Sequence, residues 1–145
     1  MNLKIAIAAG LLVAATTAIA HQNVENPVVK ARMDAMSAIA ADMKTLARVA
    51  KSTTPFDAEQ VRLTVRSIAD YASKTPDFFR AQEDDPVSEA LALIWQDFDD
   101  FAAKSDDLRM LATELSTKIS QQSDVSPAML ALGASCKSCH RKFRE

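Results

Sequence analysis

Apolar residues along positions 27–50 recur at alternating spacings of four and three: Val29, Met33, Met36, Ala40, Met43, Ala47 and Ala50. That period keeps one stripe of a helix apolar and predicts a bundle helix. A second run, Val61, Val65, Ile68 and Ala72 with Tyr71 beside it, predicts a helix over 57–73. A third runs from Val87 through Leu91, Ile94, Phe98, Phe101, Ser105, Leu108, Ala112 and Leu115 to Ile119. Ser105-Asp106-Asp107 is a candidate break with a new cap, but the unbroken register favours one long helix over 86–120. A fourth helix is expected over 127–143.

The prolines punctuate this pattern. Asn26-Pro27, Asp85-Pro86 and Ser126-Pro127 each set a capping residue before a residue suited to the first helical turn. Thr54-Pro55 is a weaker start, with Asp57 as the alternative cap. Linkers are short except that of 74–85, which carries Phe78-Phe79 and Glu83-Asp84-Asp85. The expected fold is an all-α antiparallel four-helix bundle forming one domain, residues 21–145.

Composition narrows the chemistry. The chain has 145 residues with 2 Gly, 2 Cys and 2 His, so neither an all-β fold nor a disulfide scaffold is favoured. A net charge of -2 lacks the basic signature of a nucleic-acid binder. Residues 1–20 read as a cleaved signal peptide. Lys4 opens it, an apolar stretch too short for a membrane anchor follows, and Ala18-Ile19-Ala20 supplies a small-x-small cleavage site ahead of His21. A periplasmic destination follows, with no stable membrane anchor.

Both cysteines and the only internal histidine fall in Cys136-Lys137-Ser138-Cys139-His140. CxxCH is the attachment motif of a c-type haem. On a helix, positions i, i+3 and i+4 share a face. Two thiols there can add to the two haem vinyl groups while the adjacent imidazole reaches iron. The expected cofactor is one covalently attached haem c per chain, with Cys136 and Cys139 as thioethers and His140 as proximal ligand. Structural zinc needs four protein ligands, and only His21 is left to supplement the cluster. A thioredoxin-like CxxC follows a strand, and no strand pattern is evident. No second histidine is placed for acid–base catalysis, so no enzymatic activity is expected.

A C-terminal CxxCH on the last helix of a four-helix bundle, here in Gly133 to Arg144, resembles the class II c-type cytochromes, the cytochrome c-prime family. The likeness extends to Arg32, Pro55-Phe56-Asp57, Ile94-Trp95 and Phe101. It divides into high-spin members with five-coordinate iron and low-spin members, the cytochrome c-556 type, with a distal methionine. The resemblance sets that position four residues after an arginine of the first helix, which here makes Met36, after Arg32, the distal ligand. Met33 and Met43 share its stripe and compete. The resemblance also implies Arg32 as a haem-propionate contact and puts Arg144 near the proximal histidine. A surface role for either arginine stays open. Trp95, Phe98 and Phe101 are expected in the core, with contact at the haem edge as the alternative.

The expected function is periplasmic electron transfer by low-spin His/Met iron. The alternative is a five-coordinate protein binding nitric oxide or carbon monoxide. A redox protein is the implied partner, with a homodimer through the first two helices also suggested by the resemblance. Glu83-Asp84-Asp85 and Asp97, Asp99 and Asp100 are candidates for steering a basic partner, or else a solvated surface.

Overall fold

The computed structural model describes residues 23–145, so the expected signal peptide lies outside the described residues. The elements are α1 (Pro27–Ala50), α2 (Ala58–Phe78), α3 (Leu93–Gln96), α4 (Phe98–Lys118) and α5 (Val125–Phe143), with a short 3-10 turn at Gln122–Asp124. Around the bundle α1 packs on α2, α2 on α4, α4 on α5 and α5 on α1, closing an all-α four-helix ring. Among the described residues the only β pairing is an isolated antiparallel bridge between Ala90 and Arg144.

Helix α1 begins and ends where the pattern predicts. Asn26 caps it, its Oδ1 accepting from the N–H groups of Val28 at 2.9 Å and Val29 at 3.3 Å. Its buried stripe, however, is Val29, Arg32, Ala35, Ile39, Leu46 and Val49, one position out of phase with the expected one. The branched residues Ile39, Leu46 and Val49 enter the bundle core. Met33, Met36 and Ala40 instead turn toward a cavity. The apolar face is wide enough to serve both, and spacing alone does not separate them.

Helix α2 overruns its expected end. Pro76 lies inside it, and the helix continues to Phe78. Proline has no N–H to give the carbonyl four residues back, that of Ala72. The Ser105 hydroxyl of α4 supplies the missing donor, at 2.7 Å to the Ala72 oxygen in a buried setting. Ser105 therefore marks no break, and α4 runs through it.

The long helix expected over 86–120 does not form. Its first part is an irregular strap over 79–92, and the remainder is split at Asp97, whose backbone angles of -133° and 55° leave the helical region. Asp85 caps no helix there. Its carboxylate accepts from the N–H groups of Glu25 at 2.9 Å, Asn26 at 3.0 Å and Val87 at 3.2 Å. That clips the strap to the start of α1, and the satisfied carboxylate is only 6% exposed, so it does not belong to a solvated acidic surface. Helix α5 starts at Val125 rather than Pro127, behind a capping box in which the Gln121 and Asp124 side chains serve each other's backbone N–H groups.

Two apolar clusters result. The larger joins Ile39, Leu46, Val65, Ile68, Ala112, Ile119 and Leu132 along the bundle. The smaller gathers Phe79, Ile94, Phe101 and Phe143 beneath the strap, with Trp95, Phe98 and Cys139 packed against it.

Candidate functional site

A cavity of about 570 Å³ opens between α1, the strap and the end of α5. Met33 and Met36 line it from α1, and Cys139, His140, Phe143 and Arg144 from the C-terminal end. Val29, Phe79, Ile94 and Phe101 make much of the wall apolar, and Val87 to Ala90 contribute from the strap. Its volume falls within the range of small-molecule and cofactor pockets.

Helix α5 presents Cys136, Cys139 and His140 within one turn and a third. Cys139 and His140 reach the cavity wall, whereas Cys136, one turn earlier and partly exposed, lies outside it. Neither thiol is in a disulfide. Burial pushes the Cys136 thiol above its ordinary value, opposed by its own backbone. Burial does the same at Cys139, with Lys104 opposing and Cys136 and Asp100 adding to it. Burial, reinforced by the Arg144 charge and opposed by Glu89, lowers the His140 value. The imidazole is thus held in the neutral form, the one with a free lone pair for a metal. Among the described residues no three His, Cys, Asp or Glu side chains converge on a point, so the donor set does not make a protein-only metal centre. A large apolar cavity beside two protonated thiols and one neutral imidazole fits a covalently held haem.

Arg32 is 2% exposed, and its surroundings differ from a solvated helix face. Its Nε donates to the Phe78 carbonyl at 2.9 Å and its Nη1 to that of Glu83 at 2.8 Å. Its Nη2 donates to that of Ala81. The guanidinium carbon lies 4.8 Å from the centroid of the Phe79 ring and 5.2 Å from that of Trp95. Three of its five N–H groups thus tie α1 to the strap while the side chain also borders the cavity.

The aromatic expectations divide. Trp95 packs on the smaller cluster, its Nε1 donating to the Phe79 carbonyl at 2.7 Å, and Phe98 packs beside it. Phe101 is both core and cavity wall. Met36 and Met43 both pack on the main core, and of the three methionines on the stripe Met33 and Met36 line the cavity whereas Met43 does not. Asp97 and Asp100 bind Lys142 of α5 at 2.6 and 2.9 Å, pinning the CxxCH helix to the α3–α4 break. The strap and Phe79 were not foreseen, because their segment was assigned partly to a linker and partly to a helix.

The family model for cytochrome C' matches residues 27–144. The chain belongs to the cytochrome c′ family. Cytochrome c-556 of Agrobacterium tumefaciens (strain II Chrys) is 35% identical over 117 residues, covering 80% of this chain and 95% of the relative. The solved structure of cytochrome c prime from Shewanella frigidimarina superposes with a TM-score of 0.71 at 31% identity, covering 85% of this chain and 99% of that one. A variant of cytochrome c prime from Alcaligenes xylosoxidans, solved as its nitric oxide complex, gives 0.71 at 25% identity, covering 81% and 94%. As a cytochrome c′ family protein the chain carries covalently attached haem c and is a haem electron-transfer protein. Both c-556 and c′ names occur among its relatives. No helix among the described residues is long and apolar enough to cross a membrane.

Proposed function

We propose that this cytochrome is an exported monohaem electron carrier whose iron is six-coordinate and low-spin, bound by His140 and Met36. Cys136 and Cys139 form its two thioether links. The observation that carries the reading is that Met36 of α1 and His140 of α5 border one cavity from different helices, with Cys139 beside the imidazole. Haem held there supplies one-electron chemistry between ferric and ferrous iron. The thioether of Met36 is a soft, neutral donor that favours the ferrous state and raises the potential. His140, kept neutral by burial, offers its lone pair without first losing a proton. The apolar wall would keep water from a haem held there, and Met36 and His140, both binding the iron, would leave no room on it for exogenous ligands.

Met36→Ala tests the assignment against Met33→Ala. The first should give a high-spin absorption spectrum and rapid carbon monoxide binding, and the second should stay low-spin. A low-spin spectrum retained in Met36→Ala overturns Met36 ligation. The second reading, a five-coordinate gas-binding protein, is favoured by the relative solved with nitric oxide. It requires the parent protein to be high-spin and to bind carbon monoxide at once.

Arg32, with two N–H groups left, retains the capacity to meet a haem propionate as well as the strap. Export to the periplasm rests on residues 1–20, and a periplasmic product beginning at His21 tests it. The partner we assign is another redox protein. Homodimerisation through α1 and α2 is read by sedimentation velocity of the holoprotein.

A further inference from the structure

Helix α5 does not simply end after the CxxCH. The Arg144 N–H closes a last helical bond to the His140 carbonyl at 3.0 Å, and the chain then turns extended, at φ -132° and ψ 145°. There it pairs with the strap. The Leu91 N–H donates to the Phe143 carbonyl at 3.0 Å, and the Glu145 N–H donates to that of Glu89 at 3.0 Å. This register sets the Glu89 and Arg144 side chains together. Arg144 Nε donates to Glu89 Oε2 at 2.5 Å, and the same oxygen takes a second bond from Nη2. Both side chains border the cavity that His140 borders. At 56% and 49% exposure the pair is too wet to matter much for stability. Its charges nevertheless sit beside the imidazole, and they act on it with opposite signs.

We infer that Glu89 is a positioning residue for the haem site that acts through Arg144: the backbone bridge sets Arg144 near His140, and the Glu89 carboxylate pairs with its guanidinium and cancels much of its charge there, setting the reduction potential. The inference rests on His140 being the proximal ligand. Reduction adds one electron, drawn from the redox partner or a mediator, to the iron centre. An unbalanced cation nearby favours that electron, and an unbalanced anion opposes it. Removing Glu89 leaves Arg144 uncompensated, and removing Arg144 leaves Glu89. The two losses therefore shift the potential in opposite directions. A strap that merely fastened the site would respond differently, because breaking it from either side would loosen the same pairing and shift the potential the same way.

The test is a mediated redox titration of the parent holoprotein, Glu89→Gln, Arg144→Gln and the double variant, at low and high salt. At a fixed applied potential the reduced-to-oxidised ratio should rise about two- to fivefold in Glu89→Gln and fall by a similar factor in Arg144→Gln, the range expected of a partly exposed charge pair. It should return close to the parent in the double variant. These shifts should shrink at about 1 M salt, where screening acts over ~3 Å. Shifts of the same sign in the two single variants, or none in Glu89→Gln, overturn the inference. Urea midpoints of the four proteins should nearly coincide; a large loss in Glu89→Gln would make the pair a structural fastening and likewise overturn it. The ligation reading is tested separately by His140→Ala, whose unchanged spectrum would remove His140 as a ligand whatever Glu89 does.

Discussion

The proline inside α2 makes a quantitative demand on α4. Pro76 cannot donate to the Ala72 carbonyl, which sits at a position 1% exposed and so has no water to turn to. Ser105, 6% exposed, donates to that oxygen at 2.7 Å. Ser105→Ala therefore removes a hydrogen bond and strands a buried acceptor. A net bond contributes about 1 kcal/mol and an unsatisfied buried group costs about 1–3 kcal/mol, so a loss of about 2 kcal/mol is expected. With a urea m-value of about 2 kcal/mol/M for a domain of this size, the midpoint falls by about 1 M.

The reasoning is tested by restoring the donor rather than by the single loss. In a Pro76→Ala background the new N–H reaches Ala72 along the helix, and Ser105→Ala should then cost only about 0.5–1 kcal/mol. Urea unfolding of the four holoproteins, followed by far-ultraviolet circular dichroism, gives a coupling of about 1–1.5 kcal/mol. Ser116→Ala is the control. Ser116 is as buried, but its hydroxyl donates at 2.7 Å to the Thr113 carbonyl within its own helix, where the backbone already supplies a donor. Equal losses for Ser105→Ala in both backgrounds, within about 0.3 kcal/mol, would refute the idea that the serine compensates the proline.

Three further outcomes follow from the site's supports. Arg32→Lys replaces a planar fork by a point charge that cannot serve three carbonyls at once, and should cost about 3 kcal/mol in urea unfolding; a loss under about 1 kcal/mol would contradict the contacts described. Asp85 is held below the usual carboxylate range by the Asn26 and Val87 N–H groups, against its burial and with help from Glu25. A lowered folded-state value adds stability above the unfolded value, near 3.9, that is lost as pH falls through the folded one. Asp85→Asn should thus be less stable at pH 7 and converge on the parent in acid, whereas a constant gap down to about pH 2 would refute the assignment. Phe143 is 2% exposed and meets Phe101 edge-on at 5.4 Å, so Phe143→Ala should cost about 3–5 kcal/mol, read by the same denaturation.

Much of the fold was legible because helix period and capping act locally. Asn26 and Asp57 cap where their side chains predict, and the Val61, Val65, Ile68 and Ala72 stripe is buried as expected. What was not legible depends on distant partners. Pro76 ends no helix because Ser105, far along the chain, answers for the lost bond. Asp85 looks like a cap before proline, yet its three donors include two residues ahead of α1. Arg32 looks like a helix-face cation, and only the strap's carbonyls make its burial tolerable. The CxxCH spacing by itself marked one turn of α5, and Cys139 and His140 of that turn meet the cavity wall. Glu89 was not legible, since its place beside Arg144 comes from a bridge between the strap and the chain's end.

The one-position error in the α1 stripe carries a physical point about how such a site is built. A continuous apolar helix face has no internal mark dividing core from cavity. Here the division runs along the helix as well as around it. Ile39, Leu46 and Val49 fill the close-packed interior with Met43 packed against them, while Val29, Met33 and Met36 border the cavity. Close packing favours side chains with few rotamers, and an adaptable thioether suits a boundary with a bound group. The same helix is held on the strap by Arg32, one turn from Met36. The strap in turn is paired through Ala90 and Leu91 to the end of α5, next to His140. Met36 and His140, far apart in sequence, are therefore linked mechanically through residues 78–91 as well as across the cavity. A perturbation of the strap should be felt at both walls together.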